Sequence, residues 1–160
     1  MLPHPGPFVA RLLSALQADG VEVSGFELDH LCYRVTTLAR YAELRTWLLT
    51  QGVLLGESPI GGRSIATFRL KEPWIIGDRR IEVVELPAPK AGSPYAEGWE
   101  HAEFVIGEDL LSFAQRHPQL AWDLSDLQKP INADVRLRYE GFSVKFHRHA
   151  LAYVIEHLDR

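Results

Sequence analysis

Five side chains set the chemical question posed by this chain: His30, Glu85, His101, Glu103 and His147. Imidazole nitrogen and carboxylate oxygen are donors for borderline divalent ions, and two histidines with a carboxylate on separate strands hold such an ion while leaving positions open. Zn, Fe(II), Mn, Ni and Co all suit that donor set. The spacing carries the reading. His101 and Glu103 lie in Gly98-Trp99-Glu100-His101-Ala102-Glu103-Phe104-Val105-Ile106, a run rich in aromatic and β-branched residues that closes at Gly107. Alternate residues share one face of a strand, so Trp99, His101, Glu103 and Val105 are expected to point one way. His30 falls in a similar run, Phe26 to Val35, where Phe26, Leu28, His30, Cys32 and Arg34 are expected to share a face.

The expected metal ligands are His30 and Glu85 from the first half of the chain, and His101 and His147 from the second. A lone histidine on an apolar strand face is more often a hydrogen-bonded structural residue. Four such groups at equivalent places in two like modules favour a site, because burying them unpaired costs roughly several kcal/mol. Glu85 or Glu103 is the candidate general base, and a salt bridge from Glu103 to Arg34 or Arg63 is the competing reading. Arg34 and Arg63 are candidates to bind an anionic substrate by paired hydrogen bonds, against plain surface ion pairs. Trp99 is read as an apolar pocket wall or as a core tryptophan. Asp29, His117, His149 and His157 are read as surface or structural, while Tyr33 and Tyr95 stay open. A nucleophile made of Cys32 and His30 is rejected, because side chains two apart on a strand project side by side and rarely meet.

The elements that must position these groups are legible in outline. Val9, Leu12, Leu13 and Leu16 predict a lead-in helix stopped by Gly20. After the His30 strand, Thr36 or Thr37 can cap a helix with the stripe Leu38, Tyr41, Leu44 and Leu48, ended by Gly52. Strands are expected at 53–57 and 63–70, joined across Gly61-Gly62, and at 81–87 after a less regular connection over 71–80. Residues 26–87 thus read as a βαβββ module. Pro89, Gly92 and Pro94 mark the linker at 88–98, after which residues 98–147 repeat a shorter βαβββ pattern with an ambiguous stretch at 119–129. A closing helix is expected over 150–158. The fold class is α+β, one domain spanning residues 1–160.

Composition narrows the partners. With 46% hydrophobic and 24% charged residues the chain is ordinary for a globular domain, and a net charge of −4 offers no footprint for nucleic acid. No apolar run reaches the roughly 20 residues of a membrane span, and the N-terminus lacks the pattern of a signal peptide. A single cysteine, Cys32, fits a reducing compartment, so the cytoplasm is the expected location. A small-molecule ligand is the expected partner; oligomeric state is not legible. No glycine-rich phosphate loop is present.

Asp29-His30-Leu31-Cys32-Tyr33-Arg34, Gly62-Arg63-Ser64-Ile65, Val84-Glu85-Leu86-Pro87-Ala88-Pro89, Glu97-Gly98-Trp99-Glu100-His101-Ala102-Glu103 and Val144-Lys145-Phe146-His147 resemble the signature segments of the YecM family of bacterial proteins. That family is similar in fold to the vicinal oxygen chelate superfamily, with glyoxalase I, extradiol dioxygenases, epimerases and antibiotic-resistance proteins. The resemblance implies paired βαβββ modules around a curved cleft, with a divalent metal held from the first and last strands of each. His30, Glu85 and His101 match ligand positions, whereas His147 stands where the glyoxalase pattern has a carboxylate. The first functional reading is a metalloenzyme of isomerase, lyase or dioxygenase class acting on a small oxygen-rich substrate. The second is a non-catalytic module that binds a small molecule or metal in the same cleft. A third is an interaction protein with a relic site.

Overall fold

A computed structural model describes residues 1–92 and 94–158. Its organising element is β1 (Glu27–Arg34), which lies between β4 (Arg79–Pro87) on one side and β5 (Gly98–Val105) on the other. With β2 (Gly52–Ile60), β3 (Arg63–Ile76), β6 (Asp134–Tyr139) and β7 (Phe142–His147) it forms one seven-stranded sheet in the order β2-β3-β4-β1-β5-β7-β6. β1 is parallel to β4, and β5 is parallel to β7. The first half is β1, α2 (Leu38–Gln51), β2, β3 and β4, the expected βαβββ order. The second is β5, α3 (Leu110–Gln115), β6 and β7. In the ambiguous stretch before β6, the chain makes only a single bridge, Asp123 to Arg136, so the second half carries three strands where four were expected.

One face of the sheet packs on the helices. α1 (Gly6–Ala18) buries Phe8, Val9, Leu12 and Leu16 against Leu31, Phe104, Val144 and Phe146. α2 starts at Thr37, whose hydroxyl accepts from the Arg40 N–H at 3.1 Å, and buries Tyr41, Leu44 and Leu48 against Phe68, Val84 and Leu86. Gly52, extended at the end of α2, has no room for a side chain: a Cβ there would sit 2.1 Å from the Arg69 carbonyl oxygen of the neighbouring strand. The stretch 71–76, expected as part of an irregular connection, continues β3 beyond a shift in register and turns into β4 at Gly77-Asp78. Pro73 and the Lys71-Glu72 pair break the alternation there and hide the strand from pattern reading.

The other face is polar and curls inward. β2 and β6 are the two edges, about 29 Å apart in a flat sheet of this size, yet Ser58 and Ile60 of β2 and Arg136 and Arg138 of β6 line a single cavity of about 830 Å³. A short helix α4 (Leu151–Tyr153) and a π-helical turn over Val154–Leu158 cross this cavity, placing Leu151, Val154 and Ile155 on its wall. Among the described residues no helix is long and apolar enough to cross a membrane.

Candidate metal centre

The floor of the cavity is the antiparallel pair β1 and β5, where Leu31 stands opposite Ala102, His30 opposite Glu103 and Cys32 opposite His101. Each strand carries one extra residue near its histidine: Asp29 on β1 and Glu100 on β5. A bulge of this kind shifts the alternation by one residue. Leu28 therefore joins the helix-side core with Leu31, while His30 and Cys32 lie on the opposite face, Cys32 on the cavity wall and His30 buried beside Glu85 and His101. Phe26, expected beside His30, also packs on the helix side, against Phe113.

The same shift moves Trp99. Its ring packs on Phe8, Tyr33 and Trp74 in the helix-side core, and its Nε1 donates to the Pro3 carbonyl at 3.2 Å. As an apolar wall of the pocket Trp99 is thus corrected to a core residue, because Glu100 interrupts the alternation between Trp99 and His101.

Each extra residue is a carboxylate that holds the next imidazole. Asp29 Oδ2 lies 2.7 Å from His30 Nδ1, and Glu100 Oε2 holds His101 Nδ1. Asp29, read from sequence as surface or structural, is buried and also accepts from the Leu151 N–H at 2.8 Å. With Nδ1 bound in this way, both Nε2 atoms turn toward Glu103, and among the described residues neither makes a hydrogen bond. Fixing Nδ1 on a carboxylate is how metal-binding imidazoles are oriented. The donor atoms of His30, Glu85 and His101 all lie within 4.8 Å of one another, a spread that a single divalent ion can bridge. The residues present fit a metal.

Glu103 lies at the centre of the charge. Its Oε1 is 3.4 Å from His30 Nε2, 3.6 Å from His101 Nε2 and 3.6 Å from Lys145 Nζ. Burial would raise the Glu103 carboxyl, but Lys145, His30 and His147 outweigh it and hold the group well below the carboxylate range. Burial likewise opposes a charge on His30, yet Glu103 and Asp29 keep its imidazole well above the ordinary value. Glu100 is drawn down to about 2 against the penalty of burial by its hydrogen bond to His101. Burial, with Glu85 and Glu100 nearby, keeps the Cys32 thiol protonated, the opposite of what a nucleophile needs.

His147 joins a different group. It faces Asp29 Oδ2 through Nε2 at 3.3 Å and Asn132 Oδ1 through Nδ1 at 2.9 Å, so it gathers with Asp29 and His30 rather than with Glu85 and His101. The parallel registers explain this. Glu85 lies beside Cys32, two residues after His30, and Lys145 lies beside Glu103, two residues after His101. Lys145 therefore holds the place in the second half that Glu85 holds in the first, and His147 comes two residues later. Arg34 and Arg63 both line the cavity; the Arg34 guanidinium lies 4.2 Å over the Tyr95 ring, and Arg63 Nη1 reaches the Ala88 carbonyl at 3.4 Å.

Fold and site together define an α+β protein with an open curled sheet around a buried cluster of histidine and carboxylate groups compatible with metal binding. The YecM protein family matches residues 6–139, and the chain belongs to that family. It is 34% identical over 90 residues to Protein YecM of Escherichia coli (strain K12) and 33% identical over 86 residues to an uncharacterized protein of Haemophilus influenzae. These matches cover 56% and 54% of this chain and 48% and 45% of the relatives, so the chain aligns with about half the length of the curated proteins it resembles. Among solved structures, the structural genomics protein EC4020 superimposes with a TM-score of 0.79 at 26% identity, over 94% of this chain and 87% of that one. The hypothetical protein BH1468 from Bacillus halodurans C-125, at 18% identity and a TM-score of 0.52 over 78% of this chain and 94% of that one, is alike in fold alone.

Proposed function

We propose that the protein binds one divalent metal ion through His30, Glu85 and His101 and acts, in the manner of vicinal oxygen chelate enzymes, on a small oxygen-rich molecule in the cavity. The observation that carries this reading is the pair of buried Nε2 atoms that make no hydrogen bond and converge with Glu85 while their Nδ1 atoms are fixed by Asp29 and Glu100. A divalent ion there supplies Lewis acidity toward a substrate oxygen. The chain's own groups do the rest. Glu103, beside both imidazoles, is the base that takes a proton, and Arg34 and Arg63 bind and orient the substrate from the cavity wall. The unpaired, buried Cys32 supports action in the cytoplasm.

The non-catalytic reading draws on one contact. Lys145 Nζ, 3.6 Å from Glu103 Oε1, engages the only candidate base that touches both histidines, and a base so engaged binds better than it abstracts. Elemental analysis and titration calorimetry of protein expressed without an affinity tag, offered Zn, Fe(II), Mn, Ni or Co, test the metal. One ion per chain is expected, with loss in both His30→Ala and His101→Ala. Retention of the ion by the double variant overturns the assignment. Turnover that disappears in Glu103→Gln while the metal stays bound then separates enzyme from binder.

A further inference from the structure

The two halves of the cleft are not equivalent in charge. In the first half the position two residues past the histidine faces Glu85; in the second it faces Lys145, a cation on the strand position where its counterpart carries a metal-ligand carboxylate. Directly across the β6–β7 ladder from Lys145 stands Arg136. Both line the cavity, and both are half-buried. Among the described residues Arg136 makes no ion pair, and Lys145 has only the 3.6 Å contact with Glu103, an oxygen it shares with two imidazoles.

Like charges placed opposite one another on neighbouring strands destabilise a sheet. Here the pair is also partly withdrawn from water, which deepens the cost. Against the penalty of burial, nearby carboxylates, Glu103 foremost, hold the Lys145 ammonium charged, but among the described residues none pairs with Arg136: Glu100 is bound to His101, and Glu103 is spread over His30, His101, His147 and Lys145. An anion placed between the ammonium and the guanidinium would satisfy both, with the fork of Arg136 matching the paired oxygens of a carboxylate or phosphate.

We propose that Lys145 and Arg136 form an oxyanion seat, so that the molecule taken into this cleft carries a carboxylate or phosphate at one end and presents another oxygen toward His30, Glu85 and His101. The seat rests on the reading of the cavity as a ligand site and names the class of ligand, a small organic anion. It does not need the metal to form. An acidic end group would sit on the β6–β7 side, leaving the opposite end over the histidines.

The test uses metal-free protein, so that an anion held by a metal cannot stand in for the seat. Malonate and inorganic phosphate are titrated separately into wild type, Arg136→Gln, Lys145→Met and His101→Ala, with binding read by calorimetry and folding by circular dichroism. The expected result is saturable binding of at least one probe, weakened about tenfold or more in Arg136→Gln by the loss of charge-assisted hydrogen bonds, and kept in His101→Ala. Preference between the probes tells a carboxylate from a phosphate ligand. Absence of binding by both probes, or binding unaltered in folded Arg136→Gln and Lys145→Met, overturns the seat. Failure of the metal reading shows instead as wild-type protein that takes up no ion, whatever the anions do.

Discussion

Asp29 Oδ2 lies 2.7 Å from His30 Nδ1 although the two residues are adjacent on one strand, a contact made possible because β1 carries Asp29 as an extra residue in its ladder with β5. Glu100 and His101 repeat the arrangement on the facing strand. The site is therefore supported in the same way from both halves, each imidazole fixed on one nitrogen and without a hydrogen bond on the other.

Removing that support should weaken the metal without unfolding the protein. Asp29→Asn and Glu100→Gln keep the shape of the side chain and lose its charge, and each is expected to reduce metal affinity about 10- to 100-fold. Competition titration against a chromophoric chelator measures it; affinity within twofold of wild type in both variants contradicts the role assigned to the two acids.

Metal should stabilise the fold by mass action. At a free ion concentration about 100 times Kd the stabilisation is about 2.7 kcal/mol, which for a chain of this size raises Tm by roughly 5 to 10 °C. His101→Ala should melt at the same temperature with and without the ion. Differential scanning calorimetry across a metal series checks both.

Trp99 should matter for stability and not for the ion. Its ring contacts Phe8, Tyr33 and Trp74 on the helix side, so Trp99→Leu is expected to cost roughly 1–3 kcal/mol in urea denaturation while metal affinity stays within about twofold of wild type. A loss of metal affinity equal to that of Asp29→Asn would return Trp99 to the pocket.

Acid stability has a contributor far from the cleft. Glu57 is held below its ordinary range chiefly by Arg45 and then by Tyr41, whose hydroxyl contacts its Oε2. A carboxylate lowered in the folded state stabilises above its unfolded value, near 4.3, and that contribution disappears as pH falls through the lowered folded value. The group is partly exposed and screened by solvent, so Glu57→Gln is expected to cost only about half a kcal/mol at pH 7 and less at about pH 3, below the unfolded value. Paired denaturant melts at the two pH values measure the difference.

Much of this architecture was legible from residue patterns. Alternation places Ser143, Lys145 and His147 on one face and Val144 and Phe146 on the other, and α2 starts at Thr37, one of the two candidate caps, and ends at Gly52. The likeness of the two halves points to His30, Glu85 and His101 as neighbours, and their donor atoms lie within 4.8 Å of one another. Alternation fails at the two extra residues, because a bulge is a property of two strands in register and not of one strand's composition. Hence plain alternation puts Leu28 and Trp99 on the wrong face and gives Asp29 and Glu100 no role. The recurrence of an acid directly before each histidine, Asp29-His30 and Glu100-His101, was the available signal. The match of Lys145 with Glu85 depends on parallel pairings between distant segments, which local spacing does not encode.

The bond from the Leu151 N–H to Asp29 Oδ2 ties the end of the chain to the acid that orients His30. Any event that draws Asp29 toward or away from its imidazole is thereby transmitted to the segment roofing the cleft. Slow amide exchange at Leu151 would serve as a readout of occupancy, and clipping the chain before that residue would disturb the ion's surroundings from outside.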